Sequence, residues 1–206
     1  MKLVFATSNK NKVDEFRAIV GNDTLVQSLG DIGWTQEIDE TADTLEGNAI
    51  LKARTIAEAL DINCFSEDTG LEVDALDGRP GVLSARYAGP DNNSDKNMDK
   101  VLSELKGVNN RSARFRTVMA LIIDEGLHCF HGVVEGEITT SRSGDSGFGY
   151  DPIFKPKGFD RTFAEMTPEE KGRISHRAMA TNKLVGFLTW YVRCKNRGLN
   201  SLQKQG

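Results

Sequence analysis

An α/β protein with a mixed sheet and a cleft between two lobes is the fold predicted by this 206-residue sequence. Three observations carry that expectation. Apolar, β-branched runs alternate with amphipathic helical runs through the first half, two long strand patterns then face each other across a tight turn, and helical patterns return near the end. No low-complexity linker interrupts the chain, so residues 1–206 read as one domain. With 38% hydrophobic and 27% charged residues, disorder is excluded as the main state. A chain this long buries roughly 70% of the surface its unfolded form exposes, so packing alone can hold it.

In order, KLVFAT (2–7) is apolar enough for a buried strand, and Val13, Phe16, Ile19 and Val20 then share a helical face that Gly21 stops. Residues 22–40 have no clear period. Ala49, Ala53, Ile56, Ala57 and Leu60 line one side of a second helix. INCF (62–65) follows as a strand, SEDTG (66–70) as a polar turn, LEVDAL (71–76) as a short alternating strand and GRPG (78–81) as a turn. Met98, Val101, Leu102 and Leu105 mark a third helix, with Ser94 or Asp95 as its N-cap and Gly107 closing it. ARFRTVMALIID (113–124) and LHCFHGVVEGEI (127–138), joined by Glu125-Gly126, predict an antiparallel hairpin. The segment 142–154, with Gly144, Gly147 and Gly149, predicts a loop. Thr167-Pro168-Glu169-Glu170 combines an N-cap, a first-turn proline and a glutamate three residues on, which starts a helix. Another helix from near Ser175 carries Leu184, Phe187, Leu188, Tyr191 and Val192, and the polar tail after residue 197 is expected to fray.

Composition narrows the function classes. Twenty-six Lys and Arg against 30 Asp and Glu give a net charge of −4, which lacks the basic footprint of a nucleic-acid binder. No apolar run approaches the ~20 residues that span a bilayer, and the N-terminus has no secretory pattern, so a cytoplasmic chain without a membrane partner is expected. Cys64, Cys129 and Cys194 are odd in number and lack CxxC spacing, which argues for reduced thiols.

Several segments can carry chemistry. Thr7-Ser8-Asn9-Lys10-Asn11-Lys12 sits where a strand delivers the chain to a helix, so backbone N–H groups and Lys12 can meet an anion there; equally, it is a polar loop with Asn9 or Asn11 as N-cap. Glu67-Asp68-Thr69-Gly70 places two adjacent carboxylates after a strand, where a cation such as magnesium would offset their repulsion, with Glu40 as a further carboxylate; an ordinary Asp-Gly turn fits the same residues. Asp-Thr-Gly also permits an aspartic-protease reading, but such proteases are all-β and this chain has at least four patterned helices. In Gly147-Phe148-Gly149-Tyr150-Asp151-Pro152 the glycines allow close approach to a flat ligand, the aromatics can stack on it and Asp151 can accept its hydrogen bonds, or the aromatics can cap the core. Lys171, Arg173, His176 and Arg177 form a donor-rich string at a helix start, or an exposed basic turn.

Together the segments resemble the inosine triphosphate pyrophosphatase family, enzymes that hydrolyse non-standard purine nucleoside triphosphates. The resemblance rests on Thr7-x-Asn9-x-x-Lys12, Asn48-Ala49-x-x-Lys52-Ala53, Glu67-Asp68-Thr69-Gly70-Leu71, Pro80-Gly81 with Ser84-Ala85-Arg86-Tyr87, Gly147 to Pro152, and Glu170-Lys171 with Ile174-Ser175-His176-Arg177. It implies an elongated mixed central sheet flanked by helices in two lobes, a homodimer, a magnesium requirement, and conversion of ITP, dITP or XTP to the monophosphate and pyrophosphate. By resemblance, Thr7, Ser8, Asn9, Lys10, Asn11, Lys12 and Lys52 contact phosphates, with Thr69 and Arg86 beside them. Glu40 and Asp68 serve the metal, and Asp68 is the general base. Phe148, Gly149, Tyr150 and Asp151 hold the purine base, and Lys171, His176 and Arg177 read its edge. The alternative from another class is a nucleotide-binding regulatory module without turnover, against which the carboxylates weigh, since a pure phosphate binder gains nothing from them without a metal.

Overall fold

The computed structural model describes residues 2–20 and 25–196. Gly21, expected to stop the first helix, and the tail after residue 197 lie outside the described residues. Six strands form one sheet in the order β2-β1-β3-β4-β5-β6. The strands are β1 (Lys2–Phe5), β2 (Leu25–Ser28), β3 (Cys64–Val73), β4 (Ser112–Ile123), β5 (Gly126–Ile138) and β6 (Phe154–Pro156). β1 runs parallel to β2 and β3, whereas β3-β4, β4-β5 and β5-β6 are antiparallel. The helices are α1 (Lys10–Val20), α2 (Leu45–Leu60), α3 (Ser94–Glu104), α4 (Pro168–Ile174) and α5 (His176–Asn196). The α/β class with a mixed sheet and flanking helices is therefore as the sequence predicts. Among the described residues no helix is long and apolar enough to cross a membrane.

Strand alternation sorts the core onto two faces. Leu3, Phe5 and Phe65 point to α1 and α5, where Val13, Phe16, Leu184, Leu188 and Tyr191 meet them. Phe65 lies 4.3 Å from Phe5 and 4.5 Å from Phe16 between ring centroids. Val4, Ala6, Cys64, Val118 and Ala120 point to the opposite face and pack against Ile56, Ala57, Ala49 and Ala53 of α2. At the far end of the long strands a separate cluster joins Leu71, Val73, Met98, Val101, Phe115, Ile153, Phe154 and Phe163.

Several local expectations change. The stretch 66–70 is not a turn: it lies inside β3, and 71–73 is the same strand rather than a separate one. Its ten residues all pair with β4, from Cys64 opposite Ile122 to Val73 opposite Ala113, so the ladder overrides the turn propensity of Ser, Asp and Gly. Residues 74–76 leave the strand as a 3-10 turn. The unpatterned region 22–40 contains β2, which is only four residues long and rests on β1. Asn93, not Ser94 or Asp95, caps α3, accepting the Lys96 N–H at 3.0 Å. The hairpin loop is Asp124-Glu125, both at positive φ (46° and 64°), with Gly126 already paired to Ile123. Leu60 and Val192 sit at the exposed edges of their helical stripes rather than in the core. Elsewhere the capping signals hold: Thr167 and Glu170 form the capping box of α4, and all three cysteines are free thiols.

Candidate active site

The site follows from a mismatch of strand lengths. β1 pairs with β3 only at Val4-Cys64 and Phe5-Phe65, with a last bond from the Ala6 N–H to the Phe65 carbonyl. β3 runs on without it, and its edge is next met by Ser84, whose Oγ accepts the Leu71 N–H at 2.9 Å. Between these points β3 presents a free edge, and side chains from both of its faces reach around it. A cavity of about 790 Å³ opens there. Its wall includes Thr7, Ser8, Asn9, Lys12, Glu40, Lys52, Glu67, Thr69, Arg86, Phe148, Gly149, Tyr150, Asp151, Lys171, His176 and Arg177. Lys10 and Asn11 are exposed on the first turn of α1 and do not belong to that wall, and Asp68 stands behind Glu40 and Lys52.

Because neighbours in a strand point to opposite faces, Glu67 and Asp68 separate. Asp68 faces α2, where Lys52 Nζ donates to its Oδ1 at 2.9 Å and to Glu40 Oε1 at 2.5 Å. Arg86 Nη1 reaches Glu40 Oε2 at 3.3 Å. Asn48 fastens the Glu40 loop to α2, its Oδ1 accepting the Ala42 N–H at 2.9 Å. Burial pushes the Asp68 carboxyl above its ordinary value, and the charge of Glu40 adds to this against the pull of Lys52. Burial also acts on Glu40, but Lys52, Lys12 and Arg86 bring it below the usual range. One carboxylate is thus tuned toward proton acceptance and its neighbour toward staying charged.

Glu67 faces α1 and α5. Arg177 grips it through two bonds of 2.8 Å, from Nε to Oε2 and from Nη2 to Oε1, and Lys12 Nζ lies 3.2 Å from Oε1. Thr69 Oγ1 also donates to Oε1 at 2.9 Å and pairs with Thr117 Oγ1 at 2.7 Å. Burial alone would raise the Glu67 carboxyl; Arg177 and Lys12 hold it well below the carboxylate range. Asn9 Oδ1 accepts the Lys12 N–H at 3.3 Å, so the N-cap reading of Asn9 holds on this same cavity wall.

At the opposite end Lys171 Nζ bonds Asp151 Oδ2 at 2.8 Å and lies 4.9 Å from the centroid of the Phe148 ring. The same Oδ2 accepts the Phe148 N–H at 2.8 Å. Gly147 makes this turn possible: its φ is +79°, and a Cβ there would lie 2.2 Å from Asp151 Oδ2. Tyr150 is buried and donates to the Ser84 carbonyl at 2.8 Å, which fixes the loop to the rest of the wall. His176 stacks on Phe115 at 4.5 Å and 14°, and its buried Nδ1 has no protein partner. Burial, with Arg177 and Lys171 nearby, holds the imidazole neutral. Gly132 lets α5 begin against β5, since a Cβ there would meet the His176 carbonyl at 1.9 Å.

Three contributors escape the motif reading: Glu15, Phe115 and Thr117. Glu15 bonds both Arg177 Nη1 and Lys171 Nζ, the latter at 3.2 Å. Its only local signal is the i, i+3 spacing from Lys12, which sets both on one face of α1.

The chain is similar to known proteins across most of its length. A family model described as the Ham1 family matches residues 3–187. A Flavobacterium johnsoniae protein named dITP/XTP pyrophosphatase is 51% identical over 189 residues, covering 92% of this chain and 98% of that protein. A Bacillus subtilis protein of the same name is 49% identical, covering 90% and 96%. The structure of the Staphylococcus aureus Ham1 protein matches with a TM-score of 0.86 at 39% identity, over 93% of this chain and 100% of that one. The resemblance carried by the six motifs is borne out, and the chain belongs to the Ham1 family.

Proposed function

We propose that this chain is a magnesium-assisted nucleoside triphosphate pyrophosphatase that converts ITP, dITP and XTP to the monophosphate and pyrophosphate. The observation that carries the reading is the division of one cavity: paired acids and lysines at one end, an aromatic with hydrogen-bonding groups at the other. That is the polarity of a nucleotide. The names of the relatives point to dITP and XTP among these substrates. The cleft between two lobes and the single unit 1–206 belong to this reading, supported by the separate core cluster at the far end of the long strands. The homodimer belongs to it as well.

Among the described residues no three His, Cys, Asp or Glu side chains converge as a ready metal cage. Magnesium is satisfied by one or two carboxylates, with water and substrate phosphates completing its shell. Glu40 and Asp68 fit that demand, because both already converge on a single positive charge, the Lys52 ammonium. When bound, magnesium supplies charge neutralisation at the phosphate oxygens. The protein's part is positioning and proton handling. Lys12 and Lys52 turn from their carboxylates to the triphosphate. Asp68, relieved of Lys52, accepts the proton of a water attacking the α-phosphorus, the role its raised carboxyl suits.

Discrimination rests on purine position 6. Hypoxanthine and xanthine carry an oxo acceptor there and adenine an amino donor. Lys171 and the neutral His176, whose Nδ1 lacks a protein partner, provide hydrogen-bonding capacity on that wall. A buried polar group left unpaired costs about 1–3 kcal/mol, so several together reject the wrong base.

A pyrophosphate-release assay with ITP, ATP and GTP, with and without magnesium, tests the reading. Release from ITP that requires magnesium and greatly exceeds release from ATP is expected, with oxygen from labelled water appearing in the monophosphate. Tight ITP binding with no turnover would instead favour a regulatory module.

A further inference from the structure

The two ends of the cavity are joined by an unbroken chain of alternating charge. Lys12 lies 3.2 Å from Glu67 Oε1, and Arg177 holds both Glu67 oxygens at 2.8 Å. The other edge of Arg177 bonds Glu15 Oε2. Glu15 Oε1 is 3.2 Å from Lys171 Nζ, which is 2.8 Å from Asp151 Oδ2. Each inner member therefore divides its charge between two opposite partners. The side chains of Glu67, Arg177, Asp151 and Lys171 are at most 9% exposed, so water screens these pairs little. Asp151 belongs to the base end and Lys12 to the phosphate end.

We infer that Glu67 and Glu15 are positioning residues that couple the phosphate end of the cavity to its base end through this chain. The sign follows from the alternation. A phosphate draws Lys12 away from Glu67, whose buried charge then rests on Arg177 alone. Arg177 shifts toward Glu67 and loosens Glu15, Glu15 takes more of Lys171, and Lys171 yields Asp151. The Asp151 carboxylate is left free to accept the N1–H of an oxo-purine. Linkage is reciprocal, so a base that occupies Asp151 tightens phosphate binding by the same factor. The motifs mark Lys12, Asp151, Lys171 and Arg177 as separate contacts; the coupling between them comes from Glu15 and Glu67.

The inference rests on the nucleotide reading above, and fragments of the substrate separate the two. Inorganic tripolyphosphate is titrated into the full chain by calorimetry in magnesium buffer, alone and with saturating inosine. Tripolyphosphate is expected to bind at least about fivefold more tightly when inosine is present, within the usual range for coupled sites. Glu15→Gln, at a side chain that is 32% exposed, should still bind both fragments but bring that factor to about one, with Glu15→Asp restoring part of it. Equal tripolyphosphate affinity with and without inosine in the unmodified chain overturns the coupling while leaving the nucleotide reading intact. So does full coupling in Glu15→Gln. Failure of both fragments to bind overturns the nucleotide reading, and the coupling with it.

Discussion

Replacing Arg177 with Met removes the guanidinium that balances Glu67, and the structure sets the scale of the damage. Both side chains are almost dry, at 3% and 0% exposure, and two of the Arg177 hydrogen bonds end on Glu67. Breaking one partner of such a buried pair leaves Glu67 with Lys12 as its remaining cation, and loss of a buried partner costs about 3–5 kcal/mol. For a chain of this size each kcal/mol lowers the melting temperature by about 2–4 °C, so a fall of roughly 6–20 °C is expected. Thermal unfolding at pH 7 measures that fall, and urea unfolding at the same pH measures the free-energy cost. The pH dependence adds an independent check. In the unmodified protein Glu67 is held well below its ordinary value, so its contribution is complete above the unfolded pKa and fades only as pH falls through the lowered folded one. Between pH 7 and 5 it should contribute no slope. Without Arg177 the carboxyl keeps Lys12 and the Thr69 hydroxyl but loses its largest counter-charge, so its value moves up toward the unfolded one and the stability lost as pH falls below 5 is smaller than in the unmodified protein. Adding Glu67→Gln removes the stranded charge, so the double variant should recover much of the loss. A cost under about 1 kcal/mol for Arg177→Met, the range of an exposed pair, would refute the argument.

Two further substitutions probe the chemistry and its scaffold. Asp68→Asn should reduce kcat for ITP about 10²–10⁴-fold with little change in melting temperature, and near-normal pyrophosphate release would remove Asp68 as the general base. Gly132→Ala brings a Cβ against the His176 carbonyl at 1.9 Å and the Ala180 N at 2.9 Å. It should cost about 1–3 kcal/mol and raise KM for ITP by moving the start of α5; an unchanged unfolding curve counts against that close approach.

Local signals in the sequence were sufficient where local physics decides. The Thr167-to-Glu170 capping box, the β4-β5 hairpin and the apolar stripe of α2 satisfy their own backbone groups or bury their own faces, so propensity and period expose them. β2 left no trace because four residues paired to β1 carry too little pattern. Residues 66–70 misled for the opposite reason: turn-forming types were placed in a strand by a ladder whose partners lie 46 or more positions away. The site has the same character. Glu15 bonds groups 156 and 162 residues distant, which no periodicity can reveal.

That placement also sets the geometry of the cavity wall. In a turn, Glu67 and Asp68 would project into one region and repel. In a strand they diverge to opposite faces, so each acquires its own cations: Lys12 and Arg177 for one, Lys52 for the other. The early end of β1 at Phe5 then gives both faces access to a single cavity. A strand fixes these directions more tightly than a loop does, so the separation of the two acids is set by the backbone itself. Adjacent residues are thereby given different environments, and Lys12 and Arg177, far apart in sequence, share one carboxylate.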